Sequence, residues 1–326
     1  MNRRHFVALV VGVAAWPVAA RAQQQRLSKI GFLSSGSPRA FDKLNAAFHQ
    51  GLRDEGFVED RNLLTEYRWA QGNYGDLERL AFELVQVGVD LIAASGGIVS
   101  ARAAARATST IPIVFIAGFD PVRVGLVVSE NRPVGNITGV SVYTTALAAK
   151  RLELLVELVP EIRNIAILVN PGSVTTSLEI EDTLNASKRI GRVLQVIKAS
   201  NEAEIDAGFA RATQEGIGAM LVSADPFFTV RRMQITALAG RLAIPTIYPW
   251  REYVEAGGLV SYGPELTWAY RQIGSYAGRI LKGTAPRDLP VVYPTKFNFV
   301  LNLKAARALG LNVPPTLLAL ADETIE

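Results

Sequence analysis

From Lys29 onward, short apolar runs rich in β-branched residues alternate with longer segments whose apolar residues recur every three or four positions. Period two reads as strand and period 3.6 as helix, so the alternation predicts βαβ units and parallel sheets. In the first half, KIGFLSS, LLTEYRW, DLIAAS and PIVFIAG read as strands. Between them, Phe41, Leu44, Phe48 and Leu52 fall on one helical face, and DLERLAFELVQVG and SARAAARAT give two more helices. After the segment VYTTALAAKRLELLVELVPEIRN a second series begins. Its strands are IAILVN, VLQVIKA, GAMLVSA, PTIYP and GLVSYG, and its helices SLEIEDTLNASKRIG, EAEIDAGFARATQEG and VRRMQITALAGRLA.

The architecture is thus built twice, without a repeat in the letters. The expected fold is α/β: two doubly wound parallel-sheet lobes joined by a multi-segment hinge. The strand pattern of the second series is complete at Tyr262, and ELTWAYRQIGSYAGRILKG then reads as one more amphipathic helix. This predicts a return to the first lobe there and a third crossing near Leu289. The expected division is 27–143 plus 263–287 for the first lobe and 144–262 plus 288–326 for the second. Such a hinge fits closure around a ligand.

The N-terminus changes the charge picture. Arg3 and Arg4, the apolar stretch Phe6 to Ala20 and the exit Ala20-Arg21-Ala22 have the layout of a secretory signal peptide, cleaved near Ala22. The order RRHF also resembles a twin-arginine export signal. Without this leader the formal charge falls from +4 to about +1, and no basic block stands out along the chain, so a nucleic-acid partner is not expected. With no cysteine, disulfides, thiolate chemistry and a lipidated N-terminal cysteine are excluded. Beyond the leader only His49 remains, within AAFHQGL, where it reads as an ordinary helix-boundary residue. No cofactor is implied: there is no G-x-G-x-x-G after the first strand, no P-loop, no G-x-S-x-G elbow and no set of metal ligands.

In open parallel sheets ligands meet the carboxyl ends of the strands. Those positions carry SSGSP, SGG, GFDP, NPGS, SADPFF, YPW and SYGPE. In four of them a proline follows Ser, Asp or Asn (Ser37, Asp120, Asn170 and Asp225), the signature of a helix cap followed by its first turn. The same helix ends offer N–H groups to an anion, so Ser34, Ser35, Ser95 and Gly96 are candidates for a carboxylate. Asp120 and Asp225 are candidates for an ammonium or hydroxyl, and Phe119, Phe227, Phe228, Tyr248 and Tyr262 for flat walls.

The stretches IGFLSSGSP, AFHQGLRDEGFVEDRNLLTEYRWAQGNYGDL, DPVRVGLVVSENRPVGNITGV, EYVEAGGLVSYGPELTWAYRQIGSYAGRILKG and LPVVYPTKFNFVLNLKAARALGL together resemble the substrate-binding proteins of ABC importers, of the tryptophan/tyrosine type. The resemblance covers essentially the whole chain. It implies a type I periplasmic-binding fold and a periplasmic location. It also implies a small-molecule ligand, often an aromatic amino acid or a related carboxylate, handed by a monomer to ABC permease subunits. It puts ligand-facing loops on Ser34, Ser35, Ser95, Gly96, Phe119, Asp120, Asn170, Asp225, Tyr248, Tyr262 and Gly263. The chain departs from the family at Arg123, where glycine is common, and at Val134-Gly135 in place of Gly-Gly; Arg123 could charge the cleft or point into solvent. Two rivals stay open: an exported α/β enzyme using Asp120 and Asp225 as acid and base, and a ligand-sensing module of a membrane receptor. A sugar-repressor relative is the weakest, because the leader stands where a DNA-binding headpiece would be.

Overall fold

The computed structural model describes residues 27–326 apart from Thr145; the leader and its cleavage site lie outside the described residues. The first sheet contains β1 (Ser28–Ser34), β2 (Leu63–Trp69), β3 (Leu91–Ser95), β4 (Ile113–Ala117) and β5 (Ile137–Ser141), all parallel, in the order β2-β1-β3-β4-β5. Helices α1 (Asp42–Asp54), α2 (Leu77–Val87) and α3 (Ile98–Ala107) make its crossovers. β3, β4 and β5 are buried along their whole length, as strands covered on both faces must be.

β5 escapes the sequence pattern. ITGVS holds Thr, Gly and Ser in a run that periodicity reads as loop, yet Gly139 is a packing requirement. A Cβ there would stand 2.2 Å from the carbonyl oxygen of Phe115 on β4.

The second lobe opens with α4 (Ala148–Leu158). β6 (Asn164–Val169), α5 (Thr176–Arg189), β7 (Val193–Lys198), α6 (Glu202–Gln214), β8 (Ala219–Val222), α7 (Pro226–Val230), α8 (Arg232–Arg241), β9 (Thr246–Tyr248), α9 (Arg251–Glu255) and β10 (Val260–Pro264) follow. The chain then leaves through α10 (Leu266–Leu281) and returns as β11 (Phe297–Asn302), α11 (Leu303–Ala308), α12 (Pro315–Leu320) and β12 (Glu323–Ile325). The sheet order is β12-β11-β10-β9-β8-β6-β7, with only the β10–β11 pair antiparallel.

Helix α10 belongs to the first lobe. It lies against α1 with glycine on both sides of the contact: a Cβ on Gly51 would stand 2.0 Å from the Arg271 carbonyl oxygen, and one on Gly274 2.1 Å from that of Phe48. The third crossing comes later than position 288. Thr138 donates to the Leu289 carbonyl, and Val292 pairs with Val140, so the chain stays with the first sheet to Val292 and joins the second at Phe297.

One apolar cluster runs through both lobes: it joins Phe32, Phe48 and Tyr270 of the first to Phe227, Trp250 and Tyr253 of the second. Burying each such side chain contributes about 1.5–3 kcal/mol, so its continuity marks a closed arrangement.

Candidate functional site

Between the lobes two small adjoining cavities, of about 50 and 30 Å³, share Gly97, Gly118, Thr144, Ala224 and Pro226. The larger is bounded by Phe41, Ile116, Val142, Trp250, Leu266 and Tyr270. The smaller reaches Phe119, Ser173, Thr175 and Asp225. An apolar, aromatic chamber therefore opens into a polar end, the layout of a small-molecule cleft. Gly97 caps α3 at φ +90°, a conformation open to glycine. It also lets the lobes meet, since a Cβ there would stand 3.3 Å from Cγ of Pro226.

On the first-lobe side the three serines of the expected site are buried and bonded to their own lobe. Ser34 Oγ accepts from the Gly36 amide at 3.1 Å and from Ser95 Oγ at 3.1 Å; Ser95 Oγ also meets the Tyr270 hydroxyl at 3.1 Å. Ser35 Oγ donates to the Gly96 carbonyl at 2.5 Å. These side chains shape the loops and stand behind the cavity, which Gly96 itself lines. Asp120 accepts from the amides of Val122 and Arg123 at 2.8 and 3.0 Å and so closes its own turn. Arg123 lies 5.5 Å from the centre of the Phe119 ring and reaches Asp182 of the other lobe at 3.9 Å.

Asp225 is the focus of the second-lobe side. It caps α7 by accepting from the Phe227 amide at 2.9 Å, with Pro226 in the first turn. The same Oδ1 accepts from Asn170 Nδ2 at 3.0 Å and, across the cleft, from the Tyr74 hydroxyl of the first lobe at 2.6 Å. The Tyr74 oxygen also accepts from the Phe227 amide at 3.1 Å. Burial pushes the Asp225 carboxyl up while these donors pull it down, and burial together with the carboxylate pushes the Tyr74 hydroxyl well up. Asp225 is thus a cap and an inter-lobe tie at once. The cap shows in its neighbours along the chain; the tie does not, because Tyr74 lies in the short helical turn Tyr74–Asp76 of the opposite lobe.

The other expected aromatic contacts lie elsewhere. Tyr248 is buried in the second-lobe core, stacked on Tyr253 at 4.8 Å, because β9 turns its side chain inward. Trp250, two residues on, faces the cleft instead. Phe227 packs in the core with the Arg231 guanidinium 4.1 Å from its ring centre. Tyr262 stacks on Phe297 at 6.2 Å. Gly263 lines a separate groove with Lys43 and Glu255, and its missing side chain admits the Pro249 carbonyl. The cleft residues Phe41, Thr144, Trp250 and Tyr270 were not singled out by the sequence; only YPW carried one of them. No cluster of three or more His, Cys, Asp or Glu side chains suited to a metal occurs among the described residues.

The family model described as ABC transporter substrate binding protein matches residues 29–325. The chain belongs to that family. It is therefore an extracytoplasmic, non-enzymatic solute-binding protein of an ABC transporter, with the two-lobed periplasmic-binding fold. A tyrosine-binding protein of Clostridioides difficile (strain R20291) is 25% identical to it over 291 residues, 89% of this chain and 83% of that one. An ABC domain from Streptococcus pneumoniae in complex with L-Trp matches with a TM-score of 0.83 at 25% identity, over 91% of this chain and 99% of that one. The ligand-free, open structure of a substrate binding protein with adhesive properties from Clostridium difficile matches at 0.63 and 26%, over 88% and 96%. At nearly equal identity the better superposition is with the liganded structure, in keeping with this binding protein's closed lobes.

Proposed function

We propose that this binding protein captures an aromatic amino acid between its lobes in the periplasm and delivers it, as a monomer, to the ABC permease subunits. The observation that carries the reading is the chamber itself: Phe41, Trp250 and Tyr270 converge on one apolar space whose other end is polar. A ring seats among these three side chains as the lobes close on it. Its carboxylate takes the first-lobe loop Gly96-Gly97 that leads into α3, and its ammonium takes the Asp225 side. The names of the tyrosine-binding and L-Trp-bound relatives support the same ligand class. Ligand bridging both lobes shifts the population toward the closed form.

A smaller aliphatic carboxylate is the second reading, and the closed cavity favours it, since about 50 Å³ accommodates on the order of four waters. A thermal-shift and calorimetric panel separates the two. L-Tyrosine, L-tryptophan and L-phenylalanine are expected to stabilise the protein by about 2.7 kcal/mol at roughly 100 times Kd, and Trp250→Ala to abolish the effect. Stabilisation by short carboxylates alone would select the second reading.

A further inference from the structure

Two ionisable residues lie behind the second-lobe wall without lining it. Arg151 on α4 is 1% exposed and Glu179 in the first turn of α5 is 5% exposed. The Arg151 Nη2 donates to the Thr144 carbonyl, and the Glu179 carboxylate faces the Ala224 amide. Thr144 and Ala224 both line the two cavities of the cleft. Arg151 Nε and Glu179 Oε1 are buried without a hydrogen-bond partner, so neither side chain is held by a complete set of bonds of its own. Burying two charges this way is costly and is no efficient route to stability.

We propose that Arg151 and Glu179 are positioning residues for ligand binding: together they hold the Thr144 carbonyl and the Ala224 amide that form the second-lobe wall. The inference rests on the cleft being the ligand site, and it adds two residues that never touch the ligand. Electrostatics makes the device sensitive to protons. Burial pushes Glu179 up to about 7, opposed by Arg151 and reinforced by Asp225; burial pushes Arg151 down to about 10, which leaves it charged at neutral pH. The other groups facing the pair are Tyr253 of α9 and, on α5 itself, Asp182, which Arg123 of the first lobe approaches. Burial favours the neutral carboxyl, so the wall is held most tightly below about pH 7 and loosens as Glu179 gives up its proton.

The test uses the mature chain with Arg151→Met, Arg151→Lys and Glu179→Gln, with L-tryptophan and L-tyrosine as probes. Calorimetry is expected to give a Kd about tenfold weaker for Arg151→Met, recovered to within roughly threefold by Arg151→Lys. Amide exchange is expected to show Ala224 protection falling as pH rises through about 7 in the wild type, and no such step in Glu179→Gln. Unchanged Kd in Arg151→Met with only a lower Tm, or pH-independent protection of Ala224 in the wild type, would overturn the proposal. If neither amino acid binds the wild type, the ligand reading fails, and the Ala224 exchange profile alone decides whether the pair holds the wall.

Discussion

The two lobes solve the same problem differently at their strand ends. After β1 and β3, the polar side chains of Ser34, Ser35 and Ser95 bond inside their own lobe, including Tyr270 of α10. After β6 and β8, Asp225 accepts from Asn170 of its own lobe and also from Tyr74 of the opposite lobe. Opening the cleft leaves the first set intact and breaks the bonds to Tyr74. One lobe therefore carries a rigid cradle, and the other carries a contact that exists only when the lobes meet.

The largest effect expected from breaking this contrast is Asp225→Ala. It strands the Tyr74 hydroxyl, the Asn170 amide and the Phe227 N–H in a buried place, and urea unfolding should show a loss of about 3 kcal/mol. Next comes pH. Glu179 has a folded-state pKa of about 7, above its ordinary value of 4.5, so its contribution is fully present below about pH 4.5 and is lost as pH rises through 7. That shift corresponds to about 3 kcal/mol, and Glu179→Gln should flatten the difference between urea curves taken at acidic and mildly alkaline pH. Tyr74→Phe sharpens the comparison further. It should cost about 1–2 kcal/mol of closure and enlarge the ligand-free radius of gyration in small-angle scattering. Ser95→Ala should cost about 1 kcal/mol of stability with no change of radius. Equal expansion in both variants would erase the distinction between the lobes. The smallest effect is Asp120→Ala, about 1 kcal/mol or less of stability with ligand affinity unchanged, because its carboxylate serves only its own turn.

Much of the frame was legible because it rests on local pattern. LLTEYRW is β2 from end to end, and Asp225-Pro226 is the cap and first turn that its letters suggest. The sequence could not tell which side of a short element faces the cleft. Tyr248 and Trp250 sit in one tripeptide, and only the twist of β9 into α9 sends the first to the core and the second to the cleft. Tyr74, in QGNYGD, carries no pattern at all; its role is created by the other lobe. Arg151 and Glu179 were hidden for the opposite reason, since charges in KRLELL and SLEIEDT read as the wet faces of amphipathic helices. His49, read as an ordinary boundary residue, is half-buried, meets the Tyr67 hydroxyl at 2.5 Å and lines neither cavity of the cleft.

The glycine-tight seam between α1 and α10 has a mechanical consequence. With Gly51 and Gly274 letting the backbones touch, α10 is welded to the first lobe and cannot flex. All bending is left to three short strips, around Thr144, at Glu265 and between Val292 and Phe297. Three connections restrain the lobes more than a single linker would, which favours a hinge over a free swivel. With the lobes together, the Tyr74–Asp225 bond sets the width of the cleft, and so acts as a gauge for what fits inside it.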